Sequence, residues 1–461
     1  MNVVTLEYSV RLLFLFMIGS IFGSWLNVCI YRLAVTEDFW KGLYSLVYPP
    51  SRCPGCLNPI AFYDNIPIFG WLKLKGRCRQ CSIWIPPRYM LIELLTGVLF
   101  VVVYCLEIPP GFHGIAVSSV YDRFGPQGDP QSPWFSPESV QHYRYAFHMV
   151  LVLALIVATF IDFDHYIIPD TVTLPAMTVG VLGNWLLGCV HLVPIWFQET
   201  GQRTYLDTYR ANLEIFFGRE KIPGWVEYVL SFKGVPAWCA AWPHLHGLLV
   251  SLAGIVVGGG IVWGVRAIGF WALKREAMGF GDVVLMAMIG SFIGWQPVLL
   301  VFFLAPVCAL VVVVVAWLFW RKREIPYGPY LSIATLLTLL FWRQLWPGTE
   351  ERIFGMGPLL PFVALFGFGA FAMMLVLTRQ IRRLLGLPDD DGEEEVWESA
   401  DQLFFQAGER PTQTEGQWPQ SSWRGTLSGR GLGHSHDWRT PPQAGPPPSL
   451  RFPGQGPGRL R

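Results

Sequence analysis

Long apolar runs recur along the chain and are separated by polar segments. A helical run of about 17 to 25 apolar residues can cross the roughly 30 Å hydrocarbon core of a bilayer. The first run has no basic stretch before it and no small-residue cleavage site after it, so we expect it to persist rather than to be removed as a signal peptide. The pattern predicts an all-α polytopic membrane protein with about eight or nine transmembrane helices. The predicted spans lie near residues 8–31, 89–106, 146–161, 172–190, 245–265, 283–295, 298–320, 329–346 and 357–378.

Composition favours a membrane protein over a soluble one. Hydrophobic residues make up 52% of the chain and charged residues 15%, against about 25% charged in an average soluble domain. The net charge of +1 gives no reason to expect a nucleic-acid partner. Membrane lipid is therefore the predicted surrounding, and nucleic acid is not a predicted partner.

The distribution of Lys and Arg predicts the orientation. The segment 32–88 carries eight of these residues, whereas the next loop, 107–145, carries only Arg123 and Arg144. Because basic residues in short loops favour the cytoplasmic side, the first loop is predicted to be inside and the second outside. Counting the spans onward places the basic clusters at 274–275, 321–323 and 379–383 inside as well. This predicts a multi-pass protein of the cell inner membrane.

The same pattern predicts the organisation of the chain into five parts. After residue 386 an acidic run precedes a stretch rich in Gly, Pro, Ser and Arg, which cannot bury enough apolar surface to fold. The predicted parts are a first transmembrane helix (1–31), a cytoplasmic metal-binding module (32–88), a membrane peptidase domain with outer inserts near 107–145 and 191–243 (89–346), an extra transmembrane helix (347–386) and a disordered cytoplasmic tail (387–461).

Carboxylates at the ends of two spans are the candidate catalytic groups, because ionisable side chains there are costly to desolvate. Asp162 lies at the end of the third span, and Asp282 follows Gly279-Phe280-Gly281 at the start of the sixth. Two carboxylates within a few ångströms cannot both ionise cheaply, so they share a proton. One can then activate water while the other protonates the carbonyl or the leaving group. Asp162 and Asp282 are therefore predicted to be a catalytic pair.

The acidic residues also allow simpler interpretations. Asp is favoured near helix N-termini, so Asp170 and Asp282 can each cap the span that they begin. Asp164 is two residues from Asp162 and points roughly to the opposite helix face, where a solvated or helix-flanking role is equally reasonable. We expect His165 to be an interfacial histidine.

Four of the nine cysteines form two C-x-x-C pairs in the first loop. Cys53 and Cys56 are separated by 21 residues from Cys78 and Cys81, close to the spacing of a four-thiolate zinc ribbon. With no fifth ligand nearby, the spacing predicts a closed, structural zinc site. Four reduced thiols without metal, and a redox pair, are the alternatives. The remaining cysteines have the pattern of small apolar residues in or near spans.

Six motifs in order resemble the bacterial type IV prepilin peptidases, the bifunctional leader peptidase and N-methyltransferase family of GxGD-type aspartic membrane proteases. The resemblance covers most of residues 17–335. The motifs are GSWLNVCIYR at 23–32, the cysteine pairs around DNIP at 64–67, RY at 88–89 with ELLTG at 93–97, ID at 161–162 with IPD at 168–170, GFGD at 279–282 and IPYGPY at 325–330.

The resemblance implies a function for these motifs. The first Asp of the ID motif and the Asp of GFGD, here Asp162 and Asp282, would cleave prepilin or pseudopilin precursors at the cytoplasmic membrane face. A second activity would methylate the new N-terminus with S-adenosylmethionine and depend on the N-terminal module. Two alternatives stay open: an ion-coupled transporter, whose intramembrane carboxylates bind protons, and a catalytically inactive pilin-binding assembly protein.

Overall fold

The computed structural model describes residues 3–34, 36, 38–53, 56, 58–108, 137–195, 238, 241–273, 278–319, 326–354 and 360–385. All of these belong to the first of two units, Met1–Val396; the second unit, Trp397–Arg461, and with it most of the predicted tail, lies outside the described residues. The same holds for most of both predicted inserts and for the basic clusters at 274–275 and 321–323.

The described residues form α-helices, together with one 3₁₀ turn at Phe62–Asp64 and two isolated β-bridges. The all-α prediction is therefore confirmed for this part of the chain. The helices are α1 (Val3–Leu33), α2 (Phe39–Ser45), α3 (Phe69–Lys73), α4 (Arg88–Glu107), α5 (Pro137–His165), α6 (Asp170–Leu187), α7 (Pro243–Leu273), α8 (Phe280–Ile293), α9 (Trp295–Phe319), α10 (Gly328–Leu340), α11 (Trp342–Arg352) and α12 (Leu360–Leu384).

Within the described residues, six helices are long and apolar enough to cross a membrane, namely α1, α4, α5, α7, α9 and α12. The chain is therefore a multi-pass membrane protein. Helices α8 and α10 have 14 and 13 residues and are only about 20 Å long at 1.5 Å per residue. The predicted span 329–346 is wrong at its end, because α10 stops at Leu340 and the polar helix α11 follows. The spans predicted at 172–190 and 283–295, and the part of 329–346 that α10 covers, stay predictions.

Helices α1 and α4 pack closely because small residues line their contact. A Cβ added at Gly23 would lie 2.7 Å from Cα of Glu93, so no larger residue fits between these two backbones. The amide of Asn27 donates a hydrogen bond to the carbonyl of Tyr89 at 3.1 Å. This pairing fixes the start of α4, which follows the cysteine module, against α1.

A second group of helices, α6, α7 and α8, packs together through small and polar residues. Gly254 of α7 and Gly290 of α8 bring their backbones together, since a Cβ on either would lie 2.5 Å from the carbonyl carbon of the other. The buried amide of Asn184 on α6 donates to Ser251 Oγ at 2.9 Å and to the Ser291 carbonyl at 3.0 Å. Almost every side chain of α8 from Asp282 onward is buried, so α8 is a central helix that holds Asp282 inside the protein.

Helix α12 lies at the periphery. A Cβ added at Gly264 of α7 would lie 3.2 Å from the Phe368 ring, and Arg379 donates to the Ala272 carbonyl at 3.2 Å. None of the most apolar 18 residues of α12 is buried by protein. The helix is therefore an addition to the outside of the bundle.

Candidate active site and metal centre

The residues after Asp162 reverse the chain between α5 and α6. The backbone N–H of Tyr166 donates to the Asp162 carbonyl at 2.9 Å, and Tyr166 has a φ of 57°, the left-handed conformation that ends many helices. Pro169, with a φ of −75° and a ψ of 141°, then leads into α6. Ile167 and Ile168 therefore form part of the short link between the end of α5 and the start of α6.

Ile168 is the point at which three motifs meet. A Cβ added at Gly281 would lie 3.1 Å from Cβ of Ile168, and one added at Gly328 would lie 3.0 Å from its Cδ1. The start of α8 and the start of α10 thus both pack against the link that follows Asp162. The absence of side chains at the two glycines permits this approach.

Asp162 and Asp282 are both buried at this junction, with 4% and 8% of their surfaces exposed. Oδ2 of Asp162 accepts a hydrogen bond from the backbone N–H of Gly328 at 3.1 Å. Asp282 lies close enough to Asp162 for the two carboxylates to interact electrostatically, and Tyr327 lies within the same range of Asp282. The arrangement brings two buried carboxylates from different helices to one place near the end of the bundle.

The other acidic residues of this region have different surroundings. Asp164 forms a salt bridge with Arg88, with Nη1 and Oδ2 2.7 Å apart. Asp170 is exposed in the first turn of α6, next to Pro169 at the cap position, and His165 is partly buried at the end of α5. Neither Asp164 nor Asp170 shares the buried position of Asp162.

The four predicted metal ligands come together in the module between α1 and α4. All four Sγ atoms of Cys53, Cys56, Cys78 and Cys81 lie within 4.8 Å of one another. The Cys53–Cys81 and Cys56–Cys78 sulfur pairs are 3.6 and 4.0 Å apart, near the roughly 3.8 Å edge of a tetrahedron with Zn–S bonds of about 2.3 Å. The residues present therefore fit a four-thiolate metal ion.

Two equivalent turns deliver these sulfurs. Arg52 pairs with Pro59, and Arg77 pairs with Trp84, in isolated antiparallel bridges. Within each turn the N–H of the first cysteine donates to a carbonyl five residues later, from Cys53 to Asn58 and from Cys78 to Ile83, at 3.0 Å in both cases. The predicted zinc-ribbon-like loop is confirmed as a Cys₄ cluster.

Local hydrogen bonds favour the charged forms of two side chains in the module, Cys78 and Asp64. The backbone N–H groups of Cys81 and Gln80 stabilise the Cys78 thiolate and lower the pKa of this thiol to about 6, which suits a metal ligand. The Arg79 guanidinium donates to Asp64 from Nε at 2.6 Å and lowers the pKa of that carboxyl. This ion pair ties the second cysteine turn to the DNIP motif.

A cavity of about 480 Å³ lies between this module, α1 and α4. Asn27 and Tyr31 line it from α1, and Tyr89 and Glu93 line it from α4. Glu93 is 9% exposed, and its Oε2 accepts a hydrogen bond from the Ile68 N–H at 2.7 Å. Neither Asp162 nor Asp282 lines this cavity.

Three positions acquire a role only in the folded protein. Gly328 contacts Asp162, Arg88 pairs with Asp164 and Glu93 lines the cavity. Each belongs to a motif that the sequence displays, but hydropathy and spacing predict none of these contacts. Their membership of ordered motifs was the only signal for them.

Comparisons with known proteins agree with the two parts of the site. Residues 17–106, which contain the cysteine module, match the Bacterial Peptidase A24 N-terminal domain. Residues 218–314, which contain Asp282, match the Type IV leader peptidase family. No solved structure matches the chain.

Curated relatives cover most of the chain. A prepilin leader peptidase/N-methyltransferase from Myxococcus xanthus (strain DK1622) is 30% identical over 346 residues, which is 71% of this chain and 89% of that protein. One of the same name from Aeromonas salmonicida (strain A449) is 28% identical over 351 residues, 71% of this chain and 89% of that protein. A type 4 prepilin-like proteins leader peptide-processing enzyme from Escherichia coli O78:H11 (strain H10407 / ETEC) is 27% identical over 335 residues, 70% of this chain and 90% of that protein. The chain belongs to the type IV leader peptidase family.

Proposed function

We propose that this protein is a membrane aspartic endopeptidase that removes the leader peptide from type IV prepilins and pseudopilins. Asp162 and Asp282 are the catalytic pair in this proposal. The observation that carries it is the meeting of these two buried carboxylates, from α5 and α8, at a junction closed by Gly328. The names of the relatives support the substrate class, and the comparisons give no support to a transporter or an inactive binding protein.

The reaction needs two carboxyl groups that hold one proton between them. The ionised carboxylate takes a proton from water as the water oxygen attacks the carbonyl carbon of the scissile bond. The protonated partner gives its proton to the carbonyl oxygen. When the tetrahedral intermediate collapses, the C–N bond breaks and the leaving nitrogen takes up a proton. A coupled pair titrates as a unit, so the two roles belong to the pair.

The Gly328 N–H has a defined part in this mechanism. It donates to Oδ2 of Asp162 at 3.1 Å, which fixes the orientation of the carboxylate and leaves the other oxygen for water or substrate. Burial excludes water that would otherwise compete for hydrogen bonds to Asp162. The single hydrogen bond from Gly328 therefore has a large effect on the position of the two carboxylates.

The orientation of the protein in the membrane is inferred from three helix ends that lie together. The end of α5 with Asp162, the start of α8 with Asp282 and the start of α4 with Arg88 all lie together. The cysteine module ends at Arg88 and contains the eight Lys and Arg residues of the first loop. The positive-inside tendency supports placing this end at the cytoplasmic face of the inner membrane.

The proposed function has a second step, methylation of the newly exposed N-terminus. The relatives carry N-methyltransferase in their names. When bound, S-adenosylmethionine would supply the methyl group, and the amino group that accepts it would give up a proton. The protein must therefore bind this cofactor near the place where the N-terminus is released.

The Cys₄ cluster has a structural role in the proposal, with zinc as the metal. Its ligands lie in the proposed module 32–88, outside the proposed peptidase domain 89–346. Four thiolates leave no open coordination position for a substrate. The metal would hold the two turns together, and peptide hydrolysis would proceed at the aspartates.

The proposal is tested by coexpressing the chain with a prepilin and measuring the mass of the pilin. Asp162→Asn and Asp282→Asn keep the size of each side chain and should abolish leader loss at matched protein levels. Asp170→Asn is the control, because Asp170 is exposed at the start of the neighbouring helix, and it should cleave normally. Cleavage that survives either of the first two substitutions would remove that residue from the pair.

A further inference from the structure

The module between α1 and α4 presents large apolar side chains on its outside. Trp40, Val47 and Phe69 are 76%, 81% and 72% exposed. Scattered apolar residues are normal on a protein surface, but a concentration of large ones in one small module marks an interaction surface. None of these three side chains lines the cavity between the module, α1 and α4. The surface therefore contacts something other than a molecule in that cavity.

Helix α2 has one face on the protein and one face outside. A Cβ added at Gly42 would lie 3.0 Å from Cγ2 of Thr171, the second residue of α6, and 3.6 Å from Cδ2 of Leu33, the last residue of α1. Trp40 and Tyr44 are neighbours on the helix surface, and both are exposed. Gly42 lies midway between them in sequence and therefore on the opposite side of the helix. The outer face of α2 is thus aromatic and lies at the level where α1 ends and α6 begins.

Helix α3 is arranged in the same way. Its Gly70 is buried, whereas Phe69 and Leu72, three residues apart on one side of the helix, are exposed. The N–H of Ile68, directly before α3, donates to Oε2 of Glu93 at 2.7 Å. Glu93 is the sixth residue of α4, about 7 Å along the helix axis from the first. Helix α3 therefore lies beside the first turns of α4, at the depth where that helix enters the bilayer.

Basic side chains accompany both apolar faces. Lys41 of α2 is exposed and pairs with Asp38, with Nζ and Oδ2 3.6 Å apart. Lys73 and Lys75, at the end of α3 and just after it, are exposed as well. The whole module, residues 32–88, has eight Lys and Arg residues against three acidic residues. Because such clusters are attracted to anionic lipids, the charge of the module suits the surface of an anionic bilayer.

The position of the two faces favours a lipid partner over a protein partner. Both faces lie beside the ends of helices that the bilayer surrounds, so headgroups are next to them whenever the protein is in a membrane. Trp and Tyr are enriched at this boundary because their rings are apolar and carry one polar group. A long Lys side chain can lie along apolar surface while its charge reaches a phosphate. The arrangement is that of an interfacial segment with an apolar side and a basic rim.

We propose that α2 and α3 are two membrane contacts, through which the module rests in the headgroup layer of an anionic leaflet. Their apolar side chains enter the boundary between headgroups and acyl chains, and their lysines bind lipid phosphates. The residues concerned are Trp40, Tyr44, Phe69, Lys41, Lys73 and Lys75. The contacts fix the height of the module on the membrane, and α2 transmits this constraint to the start of α6. The proposal goes beyond the proposed function and requires neither cleavage nor methylation.

The test places an environment-sensitive fluorescent amino acid at position 40 or 69 of the full-length protein in nanodiscs that contain phosphatidylglycerol. A nitroxide on the lipid acyl chain quenches a fluorophore in the bilayer, whereas acrylamide quenches one in water. Val307, exposed in the middle of α9, marks the reference position for lipid, and Ile83, exposed on the second cysteine turn, the reference position for water. We expect the nitroxide to quench positions 40 and 69 as it does 307, and acrylamide to reach them far less than 83.

A second arm of the test removes the charge attraction. It uses nanodiscs of phosphatidylcholine alone, or the combined variant Lys41→Gln, Lys73→Gln and Lys75→Gln. The ratio of nitroxide to acrylamide quenching at position 69 should then fall at least about fivefold, the preference that one Lys contributes near an anionic leaflet. The matched control replaces the same three lysines by Arg, keeps the charge and should keep the ratio. Equal unfolding temperatures of the two triple variants would show that both are folded.

Three results would overturn the proposal. The first is acrylamide access at positions 40 and 69 equal to that at 83. The second is shielding that develops only when a prepilin is added, because the surface would then bind a protein. The third is a quenching ratio that changes neither with lipid charge nor with loss of the three lysines.

Discussion

Arg88 and Asp164 join the start of α4 to the end of α5 through a salt bridge in which Nη1 and Oδ2 are 2.7 Å apart. The same guanidinium lies 5.0 Å from the centre of the Phe160 ring. Arg88 is the last residue of the cysteine module and the first of α4, and Asp164 is two residues from Asp162. The bridge is therefore a direct link between the end of the module and the helix end that carries the proposed catalytic residue.

This link should tune cleavage without being essential to it. Both side chains are more than a third exposed, so the pair contributes about 0 to 1 kcal/mol, and Asp164→Asn should slow cleavage by at most about fivefold. Kinetics on a synthetic prepilin should show that Arg88→Glu combined with Asp164→Arg recovers part of the rate that each single change loses. Purely additive losses in this double-mutant cycle would mean that the bridge does not position the active site.

The hydrogen bond from Gly328 to Asp162 leaves no space for a side chain. A Cβ at position 328 would collide with Oδ2 of Asp162, so Gly328→Ala should displace the carboxylate. A misplacement of about 1 Å can cost about 100-fold in rate, and we expect a loss of that order in leader cleavage by a protein that still purifies as a folded species. Gly348→Ala is the control, since a Cβ there meets nothing within 4 Å. Equal activity of the two variants would exclude a role for the Gly328 contact.

The Cys₄ cluster should bind one zinc ion per chain. Cys53→Ser and Cys78→Ser each remove one thiolate from the tetrahedron, and metal analysis of the purified variants should show loss of the bound zinc. Cys105→Ser, a partly buried cysteine of α4 outside the cluster, should retain it. Removal of zinc by a chelator should raise hydrogen exchange in residues 58–85, because structural zinc contributes directly to folding. Zinc retained in either ligand variant would contradict the site.

Packing of α7 on α8 should determine the stability of the bundle. Gly254→Ala forces a methyl group into the backbone of Gly290, whereas Gly260→Ala, on the same helix, adds one where nothing lies within 4 Å. Overpacking of this kind costs about 1 to 3 kcal/mol, so thermal unfolding in detergent should occur at a lower temperature for Gly254→Ala only. Equal unfolding temperatures for the two variants would show that close packing of α7 on α8 does not determine the stability of the protein.

The sequence predicts the helices well because apolar length determines which segments enter a bilayer. The prediction from apolar length fails for helices that are surrounded by protein rather than by lipid. Helix α8 is as apolar as its neighbours but is buried in protein, and it can therefore be short. Helix α10 stops at Leu340, and the chain then turns into α11. A hydropathy window averages over many residues, so it does not separate the polar residues of α11 from the apolar span before them.

The composition of the site is visible in the sequence, but its geometry is not. Asp162 and Asp282 are conspicuous as acids beside apolar runs, and the four cysteines are conspicuous by their spacing. Gly328, which bonds Asp162, and Arg88, which pairs with Asp164, act through contacts between helices that are distant along the chain, which spacing cannot reveal. The interpretation of Asp164 as solvated or helix-flanking did not include its ion pair for the same reason.

The central claim, that Asp162 and Asp282 act as one catalytic unit, is tested most directly by comparing Asp162→Asn, Asp282→Asn and the double variant in a purified cleavage assay. Residues that act as a unit are strongly non-additive. We therefore predict that each single variant loses cleavage to the same background as the double variant, with folding confirmed by zinc content and unfolding temperature. A single variant that keeps measurable cleavage, which the second substitution then lowers further, would contradict the account.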